Sequence, residues 1–229
     1  VTRPTRALKT LPKPPDWRLC FIADSEAAGD WDILRLISEA VQGGATLIQV
    51  RGKAWTTREF VRAGLEAALF LRPKQIPLII NDRIDIALAC RAGGVHLGQE
   101  DLPLPLARRI LGRRKLVGIS VKTAEEARTA EKGGADYLGV GPVFPTLSKQ
   151  SPGPFLGLEG IRRVRAAVKL PLLAIGGINT ANAADLISAG ADGVAVISAI
   201  SSARDPRQAA AKLIEAVGKF RTRRRSSSR

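Results

Sequence analysis

The chain has 229 residues, 45% of them hydrophobic but only 4% aromatic, with 36 basic against 21 acidic residues and a single histidine. That length holds one large domain or two small ones, and no apolar run approaches the ~20 residues a membrane span needs. The net charge of +15 raises nucleic acid as a partner, but residues 1–18 and 219–229 hold eleven of the basic residues and one acid, leaving 25 against 20 in the body.

The predicted elements begin after a basic, Pro-rich arm at 1–17 that lacks the apolar stretch of a secretory signal. Short apolar, β-rich runs then occur at 19–23, 45–50, 77–80, 94–97, 115–119, 136–140, 171–175 and 193–197. Amphipathic helical stretches separate them, at about 31–42, 56–71, 83–92, 103–111, 123–132, 159–168, 180–189 and 206–220. The turns out of several helices share one form: Gly43-Gly44-Ala45, Gly93-Gly94-Val95, Gly133-Gly134-Ala135-Asp136 and Gly190-Ala191-Asp192. Glycine just past a helix end supplies a left-handed cap, and its recurrence marks a repeated βα unit. Eight such units with near-continuous apolar strands predict an α/β fold, a single (β/α)8 TIM barrel spanning 18–220. A doubly wound sheet is the alternative, but the turn FIADSEAAGDW after the first strand has no G-x-G-x-x-G. The tail at 221–229 reads as a disordered, solvated arm, able at most to touch nucleic acid or anionic lipid weakly and in a salt-dependent way. Cys20 and Cys90 lie in apolar stretches without metal-like spacing. They read as buried free thiols in a reducing compartment, which points to the cytoplasm.

In such a barrel the active site lies at the C-terminal ends of the strands. After the second strand, Gln49, Arg51 and Lys53 share one face of an extended chain, with Val50 and Gly52 between them. Two cations aimed at one point suit a phosphate or pyrophosphate. Asn81 and Asp82 follow the third strand, His96 ends the fourth with Asp101 just beyond, and Ser120 ends the fifth. Asp82 and Asp101 on neighbouring strands could share a hard cation such as Mg²⁺, or each could simply cap a helix. Thr146, Ser148 and Lys149 follow the sixth strand, and Gly176-Gly177 and Ser198 end the seventh and eighth, where such barrels grip monophosphates. The lone His96 reads as a packed, hydrogen-bonded residue rather than a catalyst. No zinc set, Ser-His-Asp arrangement or G-x-x-x-x-G-K-[ST] loop is apparent.

The blocks LIQVRGK, LIINDR, GVHLGQEDLP, GISV, DYLGVGPVFPTLSK, AIGGIN and ADGVAVIS occur together and in this order. In that order and spacing the chain resembles the thiamine phosphate synthase family over about residues 18–203. The resemblance implies a cytoplasmic transferase of thiamine biosynthesis. It would join 4-amino-2-methyl-5-hydroxymethylpyrimidine diphosphate to a thiazole phosphate and release pyrophosphate by dissociative displacement. It implies Arg51, Lys53, Ser120 and Lys149 as the catalytic groups. It also implies pyrimidine diphosphate contacts from Gln49, Val50, Arg51, Gly52, Lys53, Asn81, Ser120 and Lys149. Thiazole phosphate contacts would come from Thr146, Leu147, Ser148, Gly177, Ile197 and Ser198, and Asp82 and Asp101 would hold Mg²⁺. Ser148 stands where Thr is common, and Lys122 where many relatives carry His. A thiazole tautomerase-like or non-catalytic phosphate-binding paralogue is the alternative, though Lys122 and the intact cationic and acidic set favour the synthase. The partners implied are small molecules, without a membrane, and homo-oligomerisation is left open.

Overall fold

The computed structural model describes residues 14–29, 31–146 and 154–226, with side chains given as far as 218. Eight strands close in chain order into a parallel barrel. They are β1 Leu19–Asp24, β2 Leu47–Arg51, β3 Leu78–Asn81, β4 Gly94–Leu97, β5 Leu116–Val121, β6 Tyr137–Val140, β7 Leu172–Ile175 and β8 Gly193–Val196. The helices outside are α1 Ile33–Gln42, α2 Thr57–Leu71, α3 Ile84–Ala89, α4 Leu104–Leu111, α5 Ala124–Lys132, α6 Gly157–Ala167 and α7 Ala183–Ala189, then a short α8 Ser198–Ser201 and α9 Pro206–Ser226. The expected (β/α)8 barrel is therefore the fold. The one-turn α8 is an addition that no periodicity could reveal in four residues. The backbone of α9 carries on to Ser226, through much of the tail expected to begin at 221 as a disordered arm.

The repeated turns have a structural role. The polar residue after Gly-Gly-Ala clasps the start of the preceding strand: Thr46 Oγ1 accepts the Leu19 N–H at 3.0 Å, and Asp136 Oδ2 accepts that of Val117 at 2.7 Å. Asp192 Oδ2 likewise accepts the Leu172 N–H at 2.9 Å. Arg108 and Arg165 from the adjoining helices pair with Asp136 and Asp192 at 2.6 and 3.1 Å. The left-handed residue in these turns is Gly44, Gly134 or Gly190, but in the third unit it is Arg91 rather than a glycine.

Strand residues alternate between two cores, as the period of two requires. One set, including Phe21, Ile48, Val50, Ile80 and Val95, packs against the helices. The other, including Cys20, Ile22, Leu47, Ile79, Tyr137 and Leu173, fills the barrel interior. Trp17, assigned from sequence to the N-terminal arm, packs on that interior with its ring 5.0 Å from Tyr137. That contact ties the described end of the arm to the barrel. Both cysteines are buried free thiols, and burial pushes Cys20 up to about 12. No helix among the described residues is long and apolar enough to cross a membrane.

Candidate active site

A cavity of about 350 Å³ opens at the C-terminal ends of the strands. One wall carries Arg51 at the end of β2, and the register of β1 against β2 sets Asp24 opposite it. Both side chains point inward and both are buried, Asp24 2% and Arg51 9% exposed. Asp24 Oδ2 accepts a hydrogen bond from the Arg51 guanidinium, and its Oδ1 accepts the Glu26 and Ala27 N–H groups at 2.8 and 3.3 Å. The exposed Glu26 reaches the same guanidinium at 3.4 Å. A buried cation must be paired, and Asp24 does this while the turn fixes its own carboxylate. The Arg51 Nε remains buried and without a partner, so the guanidinium is held at one edge and has donor capacity to spare.

Gln49 lies one inward step deeper, lining a recess with Cys20, Ile22 and Tyr137. Lys53 is half exposed at the rim and pairs with Asp82 at 2.6 Å. The same-face reading of these three residues therefore holds, at three depths. The Val50 side chain is wholly buried in the outer core, because the strand period turns it away from the barrel interior. Gly52 is not in the cavity wall either, and packs under the Trp55 ring.

Next round the rim from Arg51, after β3 and β4, stand the two carboxylates. Neither caps a helix: α3 and α4 have no side-chain cap. Asp101 Oδ2 instead accepts the Gly98 N–H at 2.6 Å. Asp82 takes a left-handed backbone, φ 60°, that side chains other than glycine adopt at a cost, and such residues gather at functional sites. Burial, then the neighbouring Asp101, raise the Asp82 pKa, while the Lys53 ammonium opposes the shift. Two carboxylates crowded this way favour a shared cation, and an all-oxygen donor set suits Mg²⁺. No group of three or more His, Cys, Asp or Glu forms a metal cage among the described residues. A metal here would thus rely on Asp82 and Asp101, with waters and substrate oxygens completing its shell.

The third wall comes from β3 to β6. Asn81, His96 and Ser120 all line the cavity. His96 Nε2 lies 2.9 Å from Ser120 Oγ and its Nδ1 3.1 Å from the Tyr137 hydroxyl. Room for these rings comes from two glycines beside them. A Cβ on Gly118 would sit 2.1 Å from Tyr137 Cζ, and one on Gly139 2.8 Å from His96 Cε1. His96 is packed and hydrogen-bonded, as expected, but it also faces the cavity.

The far wall is the loop after β6 laced to the turn after β7. Val143 N donates to Ile175 O at 2.9 Å and Phe144 N to Gly176 O at 3.1 Å. Gly176 and Gly177 have φ of 97° and 65°, and a Cβ on Gly177 would lie 2.4 Å from Pro145 O, so only glycine allows this close approach. Thr146, Gly177, Ile197 and Ser198 all line the cavity there, with Ser198 starting α8. Leu147, Ser148 and Lys149 lie outside the described residues.

Arg51, Lys53, Asn81, Asp82, Asp101 and Ser120 are thus gathered at one mouth, opposite the Gly177–Ser198 corner. The sequence reading missed Asp24 and the contact of Tyr137 with His96. The signal for Asp24 was present: Cys20, Ile22 and Asp24 alternate inward, and the strand beside β1 carries Arg51. Tyr137 gave no such signal, because a tyrosine starting an apolar strand is usually plain core.

A family profile described as "Thiamine monophosphate synthase" matches residues 19–200. Thiamine-phosphate synthase of Moorella thermoacetica (strain ATCC 39073 / JCM 9320) is 50% identical over 207 residues, covering 90% of this chain and 99% of the relative. That of Chloroflexus aurantiacus (strain ATCC 29366 / DSM 635 / J-10-fl) is 47% identical over 198 residues, covering 86% and 91%. Among solved structures, thiamine phosphate pyrophosphorylase from Pyrococcus furiosus superposes with a TM-score of 0.82 at 40% identity, covering 90% of this chain and 98% of that one.

Proposed function

The chain belongs to the thiamine monophosphate synthase family, and from that membership we propose the chemistry its cavity performs. The enzyme is a transferase that condenses 4-amino-2-methyl-5-hydroxymethylpyrimidine diphosphate with a thiazole phosphate. The thiazole nitrogen lone pair forms the new C–N bond to the exocyclic methylene carbon. The C–O bond to the diphosphate breaks, and its electron pair leaves with pyrophosphate. No proton moves at the reacting nitrogen, so no general base is required. The amino-pyrimidine donates electron density as the C–O bond lengthens, which favours a dissociative route.

The barrier then falls mainly through stabilising charge on the departing oxygens. Arg51 is suited to this: Asp24 fixes its guanidinium, and its Nε is a donor already stripped of water. Lys53 is a half-exposed ammonium at the rim, held by Asp82 until an anion competes for it. Ser120 offers a hydroxyl in the same cavity, from the end of β5. Lys149 is carried over from the resemblance alone. Mg²⁺ at Asp82 and Asp101 would neutralise diphosphate charge and orient the leaving group. The Gly177, Ile197 and Ser198 corner, with Thr146 and the adjoining Leu147 and Ser148, would hold the thiazole phosphate, as the loops after the last two strands do in such barrels. Gln49 and Asn81 would meet the pyrimidine ring.

The observation that carries this reading is the convergence of Arg51, Lys53, Asp82, Asp101 and Ser120 on one mouth. The isomerase alternative is not favoured, since the named relatives are synthases at 47–50% identity. Thiamine phosphate formation from both precursors, with and without Mg²⁺, tests it. Arg51→Ala is expected to cut turnover by about 10²–10³. Full turnover in that variant would remove Arg51 from the mechanism, and no product from the parent enzyme would refute the synthase reading.

A further inference from the structure

A polar chain runs Tyr137–His96–Ser120 through the barrel interior, and the burial of the tyrosine hydroxyl decides the sense of its hydrogen bonds. Tyr137 is 1% exposed, inside the barrel. Its hydroxyl meets His96 Nδ1 at 3.1 Å and has no other hydrogen-bond partner among the described residues. Burial raises its pKa well above the usual value, so the phenol keeps its proton. A buried O–H must donate to something, and the acceptor within reach is Nδ1. A histidine whose Nδ1 accepts carries its hydrogen on Nε2. That N–H then donates to Ser120 Oγ at 2.9 Å. The serine oxygen is used as an acceptor on this side, and its own O–H is left for the cavity that Ser120 lines. The opposite sense, Nδ1–H to the phenol, would strand the buried tyrosine O–H.

Packing holds the chain in place. The register puts His96 beside Gly118, and Gly118 beside Tyr137. Glycine on β5 and on β6 leaves the space that both rings fill, since a Cβ at Gly118 or Gly139 would strike Tyr137 or His96.

We infer that Tyr137 is a positioning residue: through the tautomer of His96 it aims the Ser120 hydroxyl at the substrate. Its part in turnover rests on the proposed role of Ser120 as donor to the leaving pyrophosphate. The hydrogen-bond sense itself does not.

The test uses the chain's single histidine, which gives one unambiguous pair of ring resonances in protein labelled with ¹⁵N-histidine. Above the usual histidine pKa of about 6.5, without substrate, the expected spectrum is that of the Nε2–H tautomer with Nδ1 accepting. Tyr137→Phe is expected to shift the Nδ1 resonance as that hydrogen bond is lost. A parent spectrum with Nδ1 protonated overturns the inference, whether or not the variant folds. In turnover, Tyr137→Phe is expected to lower kcat about tenfold with KM unchanged, the loss of one aligned hydrogen bond. The same change in a Ser120→Ala background is expected to cost nothing further. An equal loss in both backgrounds would show that Tyr137 does not act through Ser120. Because the spectrum needs no activity, failure of the synthase reading leaves the tautomer result standing.

Discussion

Asp24→Asn separates the charge on Asp24 from its shape. The asparagine carbonyl can still accept the Glu26 and Ala27 N–H groups that Asp24 Oδ1 accepts at 2.8 and 3.3 Å. What disappears is the counter-charge to a guanidinium that is 10% exposed and already lacks a partner at Nε. Breaking a buried ion pair from one side typically costs ~3–5 kcal/mol. The remaining contact, to Glu26 at 3.4 Å, involves a carboxylate 59% exposed and is worth at most about 1 kcal/mol. The net loss is therefore about 2–4 kcal/mol. With a urea m-value of about 3 kcal/mol/M, the unfolding midpoint should fall by about 1 M without a change in slope. Glu26→Gln, by the same reasoning, should move it by less than about 0.3 M. Turnover should fall with Asp24→Asn even at temperatures where the variant is fully folded, because Arg51 loses its anchor. The double variant Asp24→Asn/Arg51→Met, with no charge left to bury, should regain most of the stability and remain inactive. An Asp24→Asn midpoint equal to the parent's would refute the claim that Asp24 pairs with a desolvated arginine.

Asp82→Asn tests the opposite balance. The raised pKa of Asp82 means that the folded state holds its proton more tightly than the unfolded one. The metal-free chain therefore loses stability as pH rises from the ordinary value of 3.8 through the folded value, and this loss is complete above it. Asparagine removes that penalty and tolerates the left-handed backbone at φ 60°. Near neutral pH the metal-free variant should unfold at the same urea concentration as the parent or higher, while Mg²⁺-dependent turnover collapses. A lower midpoint would show that the Lys53 ion pair outweighs the repulsion from Asp101. Gly118→Ala should destabilise by about 1–3 kcal/mol or more through overpacking, because its Cβ would land 2.1 Å from Tyr137 Cζ. Thermal melting checks this, and an unchanged Tm would mean that the ring can move aside.

The barrel was legible from one dimension because its causes are periodic. Apolar runs of strand length, amphipathic stretches between them and a recurring Gly-Gly-Ala turn need only local rules, and the turn residues Thr46, Asp136 and Asp192 prove to clasp the preceding strand. Alternation likewise placed Gln49, Arg51 and Lys53 on one face, since the pleat has a period of two whatever surrounds it. Other questions could be answered only by closing the sheet. Whether Asp82 and Asp101 cap helices or face each other depends on where two loops meet across neighbouring strands. That Arg51 is clamped by Asp24 depends on the register of β1 against β2. That a lone histidine links a buried tyrosine to a serine at the cavity wall depends on three strands being adjacent and on two glycines leaving the room. Local propensity sets the elements and their faces. Register and ring closure set which inward side chains touch, and touching side chains fix the charges, tautomers and free donors of the site.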